Sequence, residues 1–134
     1  MRGSCLCGAI EYQIEQLDMP IGHCHCDTCR KAHSAAFATT AGVMREHFRW
    51  LKGEDKLNAY ESSPGKFRHF CSVCGSQLIA QRPAQGHVIV RVATLNEDPG
   101  SRPAHHIWCS HDKPWLALGD SQVPRYPEWQ PGRK

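Results

Sequence analysis

The sequence of 134 residues contains no run of about 18 apolar residues, so no candidate membrane-spanning helix can be drawn on it. Its opening, Met1-Arg2-Gly3-Ser4-Cys5, puts glycine and cysteine where an export signal carries its apolar stretch. Membrane and secreted readings are therefore set aside, and a cytoplasmic, reducing location is expected. Long helical periodicity is also missing: helix is suggested only over 27–33, with Asp27 as a candidate cap, and over 43–47, neither long enough to build a helical core. There is no internal repeat and no linker-like stretch. With 40% hydrophobic and 22% charged residues, the composition excludes disordered and fibrous classes and points to one small domain. That domain is expected over 1–127, with a loose tail over 128–134.

What the chain does have is eight cysteines and nine histidines. In a reducing compartment clustered thiols bind metal more often than they form disulfides, so zinc is the first candidate cofactor. The formal net charge of +3 then carries no message about phosphate partners. Cysteine ligands bind as thiolates, and seven of them with two Zn²⁺ ions bring the sum to zero. Neither nucleic acid nor a membrane surface is expected as a partner.

Strand signals dominate the rest. Ile10, Tyr12 and Ile14 alternate with Glu11 and Gln13, the period of a half-buried strand. Further short runs cover 36–41, 48–51, 66–70, 77–80 and 87–94, separated by turn-forming stretches at 62–65 and 83–86. The fold class predicted is mainly β, a small single domain of short antiparallel strands stabilised by zinc.

The cysteines fall into four groups: Cys5-Leu6-Cys7-Gly8, Cys24-His25-Cys26-Asp27-Thr28-Cys29, Cys71-Ser72-Val73-Cys74-Gly75, and Cys109 alone. A structural zinc takes four ligands, commonly as two short-spaced pairs from distant segments, and Cys5/Cys7 with Cys71/Cys74 has that form. The glycine closing each pair allows a tight turn whose free amides hydrogen-bond the sulfurs. The middle group, Cys24, Cys26 and Cys29, offers three thiolates within six residues and leaves a fourth corner to water, Cys109, a histidine or a substrate sulfur. The outer pairing is the most specific signal in the chain, and spacing alone also permits a partition in which this triad shares a metal with Cys71/Cys74. Three thiolates weaken the Lewis acidity of a metal, which disfavours hydroxide generation and favours capture of a thiol for attack on a small electrophilic carbon.

Together, Gly3-Ser-Cys-x-Cys-Gly8, His23-Cys-His-Cys-Asp-Thr-Cys-Arg-Lys31, Tyr60-x-Ser-Ser-Pro-Gly-Lys-x-Arg68, Phe70-Cys-x-x-Cys-Gly-Ser76, His106-Ile-Trp108 and Pro114-Trp115 resemble the glutathione-dependent formaldehyde-activating enzyme family, which includes the centromere protein V domain. The resemblance implies a β-rich, tent-like fold and two zinc ions. Cys5, Cys7, Cys71 and Cys74 would hold a structural ion, and Cys24, Cys26 and Cys29 a labile catalytic one. At the latter, glutathione and formaldehyde would combine into S-hydroxymethylglutathione, the reaction of a carbon-sulfur lyase running towards synthesis. The rival from another class is a non-catalytic two-zinc module that binds protein or nucleic acid.

Other residues have a functional and a plainer reading. Lys66 and Arg68, beside Ser62 and Ser63, suit the carboxylates of a peptide-like thiol or an exposed turn. Arg30 and Lys31 offset thiolate charge or form a solvated face. Trp108 and Trp115 suit the wall of a pocket near the open zinc or core or lid packing, and His105, His106 and His111 read as ordinary surface or satisfied histidines.

Overall fold

The computed structural model describes residues 1–116 and 123–132; residues 117–122 of the expected domain and 133–134 of the expected tail lie outside the described residues. The chain is mainly β, as predicted. Among the described residues ten strands run in order: β1 (Arg2–Ser4), β2 (Glu11–Ile14), β3 (Gly22–Cys24), β4 (Ala38–Met44), β5 (Phe48–Lys52), β6 (Leu57–Ser63), β7 (Lys66–Cys71), β8 (Gln77–Gln81), β9 (His87–Arg91) and β10 (His105–Ile107). A seven-residue helix, α1 (Asp27–His33), follows β3.

The strands form two sheets, a three-stranded one ordered β1-β2-β5 and a seven-stranded one ordered β10-β3-β4-β9-β8-β7-β6. Pairing is antiparallel except that β10 joins β3 in parallel, the one departure from the all-antiparallel expectation. The sheets meet where β1 runs beside the segment after β9. Gly3 bridges Leu95, and the Asn96 N–H donates to the Arg2 carbonyl at 2.8 Å. Alternation in β2 turns Tyr12 and Ile14 inward, where they join Ile10, Val43, Leu78, Val88 and Val90 in the main core. The Tyr12 hydroxyl is satisfied there by Thr94 Oγ1 at 2.6 Å.

Several elements lack the pattern that makes a strand visible. β6 is an edge strand with most of its residues exposed, so Leu57–Ser63 shows no alternation. β1, β3 and β10 have three residues each, too short for a period. The helical suggestion over 43–47 is corrected: Val43 and Met44 end β4, and only Arg45–His47 form a 3₁₀ turn. The run 87–94 remains strand only to Arg91, then Val92–Thr94 close as another 3₁₀ turn.

Helix α1 is present where the sequence placed it, but its cap is Cys26 and not Asp27. The Cys26 sulfur accepts the Cys29 N–H at 3.3 Å, and Asp27 stands in the first turn. Seven residues are too few to be helical on propensity alone, so tertiary anchoring holds this helix. Buried Cys29 and Arg30 supply it. The helix ends at Ser34, whose left-handed φ of 49° lets its N–H close back on the last turn.

Candidate metal centres

The first centre lies at the junction of the two sheets. Cys5 and Cys7 occupy the loop between β1 and β2, in the small sheet; Cys71 ends β7 and Cys74 sits in the turn to β8, in the large one. The structure brings these four sulfurs within 4.8 Å of one another, with Cys5–Cys7 at 3.6 Å and Cys7–Cys71 at 3.9 Å. A tetrahedral zinc with bonds of ~2.3 Å requires sulfur–sulfur edges of ~3.8 Å, so the donor set fits the ion. Of the two partitions compatible with the spacing, the geometry selects the pairing of the outer groups.

Both loops are built alike. Ile10 N–H donates to Cys5 Sγ at 3.3 Å and Val73 N–H to Cys71 Sγ at 3.4 Å. The strands are closed behind them by Cys5 N–H to Ile10 O and Cys71 N–H to Ser76 O. Gly8 and Gly75 have φ of +78° and +80°, the left-handed conformation that side-chain-bearing residues rarely adopt, so the closing glycines are required by the turn. Hydrogen bonding from the Ser76 hydroxyl, then from backbone amides, pulls the Cys74 thiol down to about 5. A thiol so placed is ready to ligate as thiolate.

The second centre is local. Cys24 ends β3, Cys26 caps α1 and Cys29 lies in its first turn, and their sulfurs also gather within 4.8 Å. Cys24 and Cys29 are buried and Cys26 is partly exposed. Among the described residues no fourth His, Cys, Asp or Glu atom joins this group. Cys109, a candidate fourth ligand, gathers instead with His25 and Asp112. His25 is fully buried, with Nδ1 2.6 Å from Asp112 Oδ1 and Nε2 2.8 Å from His106 Nδ1. These contacts hold β10 and the turn after it against β3.

Facing the triad from across the large sheet is Arg68 of β7, only 3% exposed, whose Nη2 donates to Cys29 Sγ at 3.7 Å and whose Nε donates to Ser62 Oγ at 2.9 Å. Three strands stand between β3 and β7, a flat distance of roughly 19 Å at ~4.8 Å per step. Because the Cys29 sulfur stays within 4.8 Å of that of Cys24, the last residue of β3, the contact requires the sheet to curve and bring β7 round towards the end of β3. The Cys29 thiol is held down to about 4, first by the hydrogen bond from Cys24, against the opposing effect of burial, and further by Cys26 and the Arg68 guanidinium. Cys24 is pushed strongly up in return, because Cys29 takes the shared hydrogen bond as the thiolate.

Two residues that sequence reasoning missed complete this surround. Arg91, at the end of β9, is 4% exposed, and burial and then Arg68 draw it down to about 10. His33, at the end of α1, is drawn down to about 4, first by burial and then by Arg91. A guanidinium closing the apolar run His-Val-Ile-Val-Arg is the only sequence signal for Arg91, and it reads equally as a solvated strand end. Arg30 is not a free counter-charge to the thiolates: it pairs with Asp27 and its Nε donates to the His25 carbonyl at 3.2 Å. Trp108 and Trp115 are exposed, which removes core packing from their readings, and Trp115 lines a cleft with Arg30 and Lys31.

Residues 1–111 match the family of glutathione-dependent formaldehyde-activating enzymes. A Halomonas elongata protein named after the same activity is 25% identical over 139 aligned positions, covering 93% of this chain and 85% of its own. An uncharacterized lyase of Schizosaccharomyces pombe is 30% identical over 76 positions, 57% of this chain and 53% of that protein. The crystal structure of a Rhodobacter sphaeroides protein superposes with a TM-score of 0.64 at 27% identity, over 79% of this chain and 99% of that one. No helix among the described residues is long and apolar enough to cross a membrane. The cysteine centres, the two-sheet fold and the span of the match agree: the chain belongs to the glutathione-dependent formaldehyde-activating enzyme family.

Proposed function

We propose that this chain is a zinc-dependent carbon-sulfur lyase that joins a small thiol, such as glutathione, to formaldehyde or a similar aldehyde, on a single unit spanning 1–127 with 128–134 as its tail. The observation that carries the reading is the triad: three sulfurs within 4.8 Å and no fourth ligand atom gathered with them among the described residues. Cys5, Cys7, Cys71 and Cys74 hold a structural zinc, and Cys24, Cys26 and Cys29 a catalytic one with a position open to the thiol. When bound there, zinc stabilises an incoming thiol in its thiolate form at neutral pH. A free thiol of pKa near 8.5 is only a few per cent thiolate at pH 7, so this supplies roughly tenfold or more in reactive species, part of it offset by the lower nucleophilicity of a metal-bound sulfur. The substrate sulfur adds to the aldehyde carbon, a carbon–sulfur bond forms as the carbonyl π bond breaks, and the thiol proton ends on the new hydroxyl. The chain's own contribution is positional: α1 fixes Cys26 and Cys29, and Arg68 holds the Cys29 sulfur as an acceptor.

Cys26→Ser tests this cleanly, because serine is itself a good helix cap and spares α1 while removing a soft ligand. The rate of hydroxymethyl adduct formation from glutathione and carbon-13 formaldehyde, followed by exchange spectroscopy, is expected to rise with zinc-loaded wild-type protein. It should return to the uncatalysed rate with Cys26→Ser. Equal rates for the two proteins would reject the enzyme and favour a non-catalytic module.

A further inference from the structure

Beside the triad, between α1 and strands β6, β7 and β8, lies a cleft of about 820 Å³, large enough for a peptide-sized ligand. Its walls include Ser62, Arg68 and Gln77 from the sheet and Lys31 from the helix. Two buried polar atoms on these walls have no hydrogen-bond partner among the described residues: Arg68 Nη1, a donor, and Gln77 Oε1, an acceptor. A native protein rarely leaves such groups unmatched, since each forfeits its hydration without replacement. The other two guanidinium nitrogens of Arg68 are committed, Nε to Ser62 and Nη2 to Cys29 Sγ. Because the group is rigid and planar, whatever accepts from Nη1 sits next to the triad.

Charge leads to the same ligand. Three thiolates and one divalent ion sum to −1, and buried Arg68 and Arg91 more than offset it, with Arg91 Nε and Nη2 likewise unpartnered. Asp27, the carboxylate on the cleft wall, is already engaged by Arg30 and by Lys113 at 3.6 Å. The loaded site thus carries excess buried positive charge and a free donor, and an anion with an oxygen acceptor relieves both.

We propose that Arg68 and Gln77 form a recognition subsite for thiols of the cysteine type, Arg68 Nη1 donating to the carboxyl oxygen placed two carbons from the sulfur, a carboxylate in N-acylcysteines and the cysteinyl peptide carbonyl in glutathione, and Gln77 Oε1 accepting from the neighbouring N–H. The inference rests on thiol capture at the triad and adds the selection among thiols. It makes Arg68 a positioning residue: it holds the substrate through that oxygen while its second nitrogen fixes Cys29.

The test is titration calorimetry of zinc-loaded protein with N-acetylcysteine, N-acetylcysteamine and 3-mercaptopropionate, which separate the carboxylate from the N–H. N-acetylcysteine is expected to bind about tenfold or more tighter than N-acetylcysteamine, the reach of one buried charge-assisted hydrogen bond. The loss of the N–H in 3-mercaptopropionate should cost a smaller factor. Arg68→Met should bring the first ratio to within about twofold, Arg68→Lys should retain part of it, and Gln77→Ala should erase only the N–H preference. Equal affinities for the three thiols on wild-type protein overturn the subsite even if no variant folds, and leave thiol capture standing. Binding of none of them by zinc-loaded protein overturns thiol capture and the subsite together.

Discussion

The outer and inner cysteine centres use the same ligand chemistry and are anchored in opposite ways. Cys5 and Cys71 are members of the main hydrophobic core, packed with Ile10, Tyr12 and Leu78, whereas Cys24 and Cys29 form a separate small cluster with Ala38. The outer pairs join two sheets across more than 60 residues of chain; the inner triad spans six residues of one strand-to-helix turn. A metal that closes a long loop between core residues adds its binding free energy to folding, while one that ties a local turn adds little. The inner centre instead faces unmatched guanidinium groups beside a cleft. On the proposed function, connectivity to the core is what would separate a stabilising site from a reactive one.

The strongest test of this contrast is Cys74→Ala. Cys74 is partly exposed, so its truncation removes a ligand with little loss of buried apolar surface. Loss of the cooperative thermal transition, or insoluble protein, is the expected result, since structural zinc is worth on the order of 10 kcal/mol in small domains. A soluble variant with the wild-type melting temperature would break the comparison at its root.

An intermediate effect is expected from mild chelation of wild-type protein. About one equivalent of zinc should leave while the far-ultraviolet circular dichroism stays native, because only the local centre gives up its ion without unfolding. Concerted release of both ions with loss of the spectrum would show that the two centres are one cooperative unit.

The smallest effect refines what the closing glycines do. A Cβ added at Gly8 or Gly75 meets nothing within 4 Å, so alanine there costs only the left-handed backbone, about 1 kcal/mol. Thermal melts should show a fall of a few degrees with zinc still bound. At Gly53 an added Cβ would lie 1.9 Å from the Ala9 carbonyl oxygen, so Gly53→Ala should cost clearly more. Equal losses at the three sites would mean that the turns are constrained by more than φ.

Much of this was legible before any coordinates. The four cysteine groups and their glycines announce metal centres because ligand spacing is a local property, and alternation at Ile10, Tyr12 and Ile14 announces a buried face. β6 was invisible because an exposed edge strand has no inward face to pattern, and core packing could not be told from a lid or pocket wall at Trp108 and Trp115 because size alone does not say where an aromatic ring packs.

By itself the sequence determined the mainly β class, the short helix after β3, and which cysteines are close enough along the chain to share an ion. Only the tertiary structure decided that the outer pairs belong to one another, because their meeting depends on how the two sheets join near Gly3 and Leu95. It also decided that Cys109 turns to His25 and Asp112, and that Arg68 and Arg91 lie buried about the triad. A charged residue on a strand is read from sequence as solvated; whether the sheet curves so that another segment covers it is set by long-range packing, to which neighbouring residues give no clue.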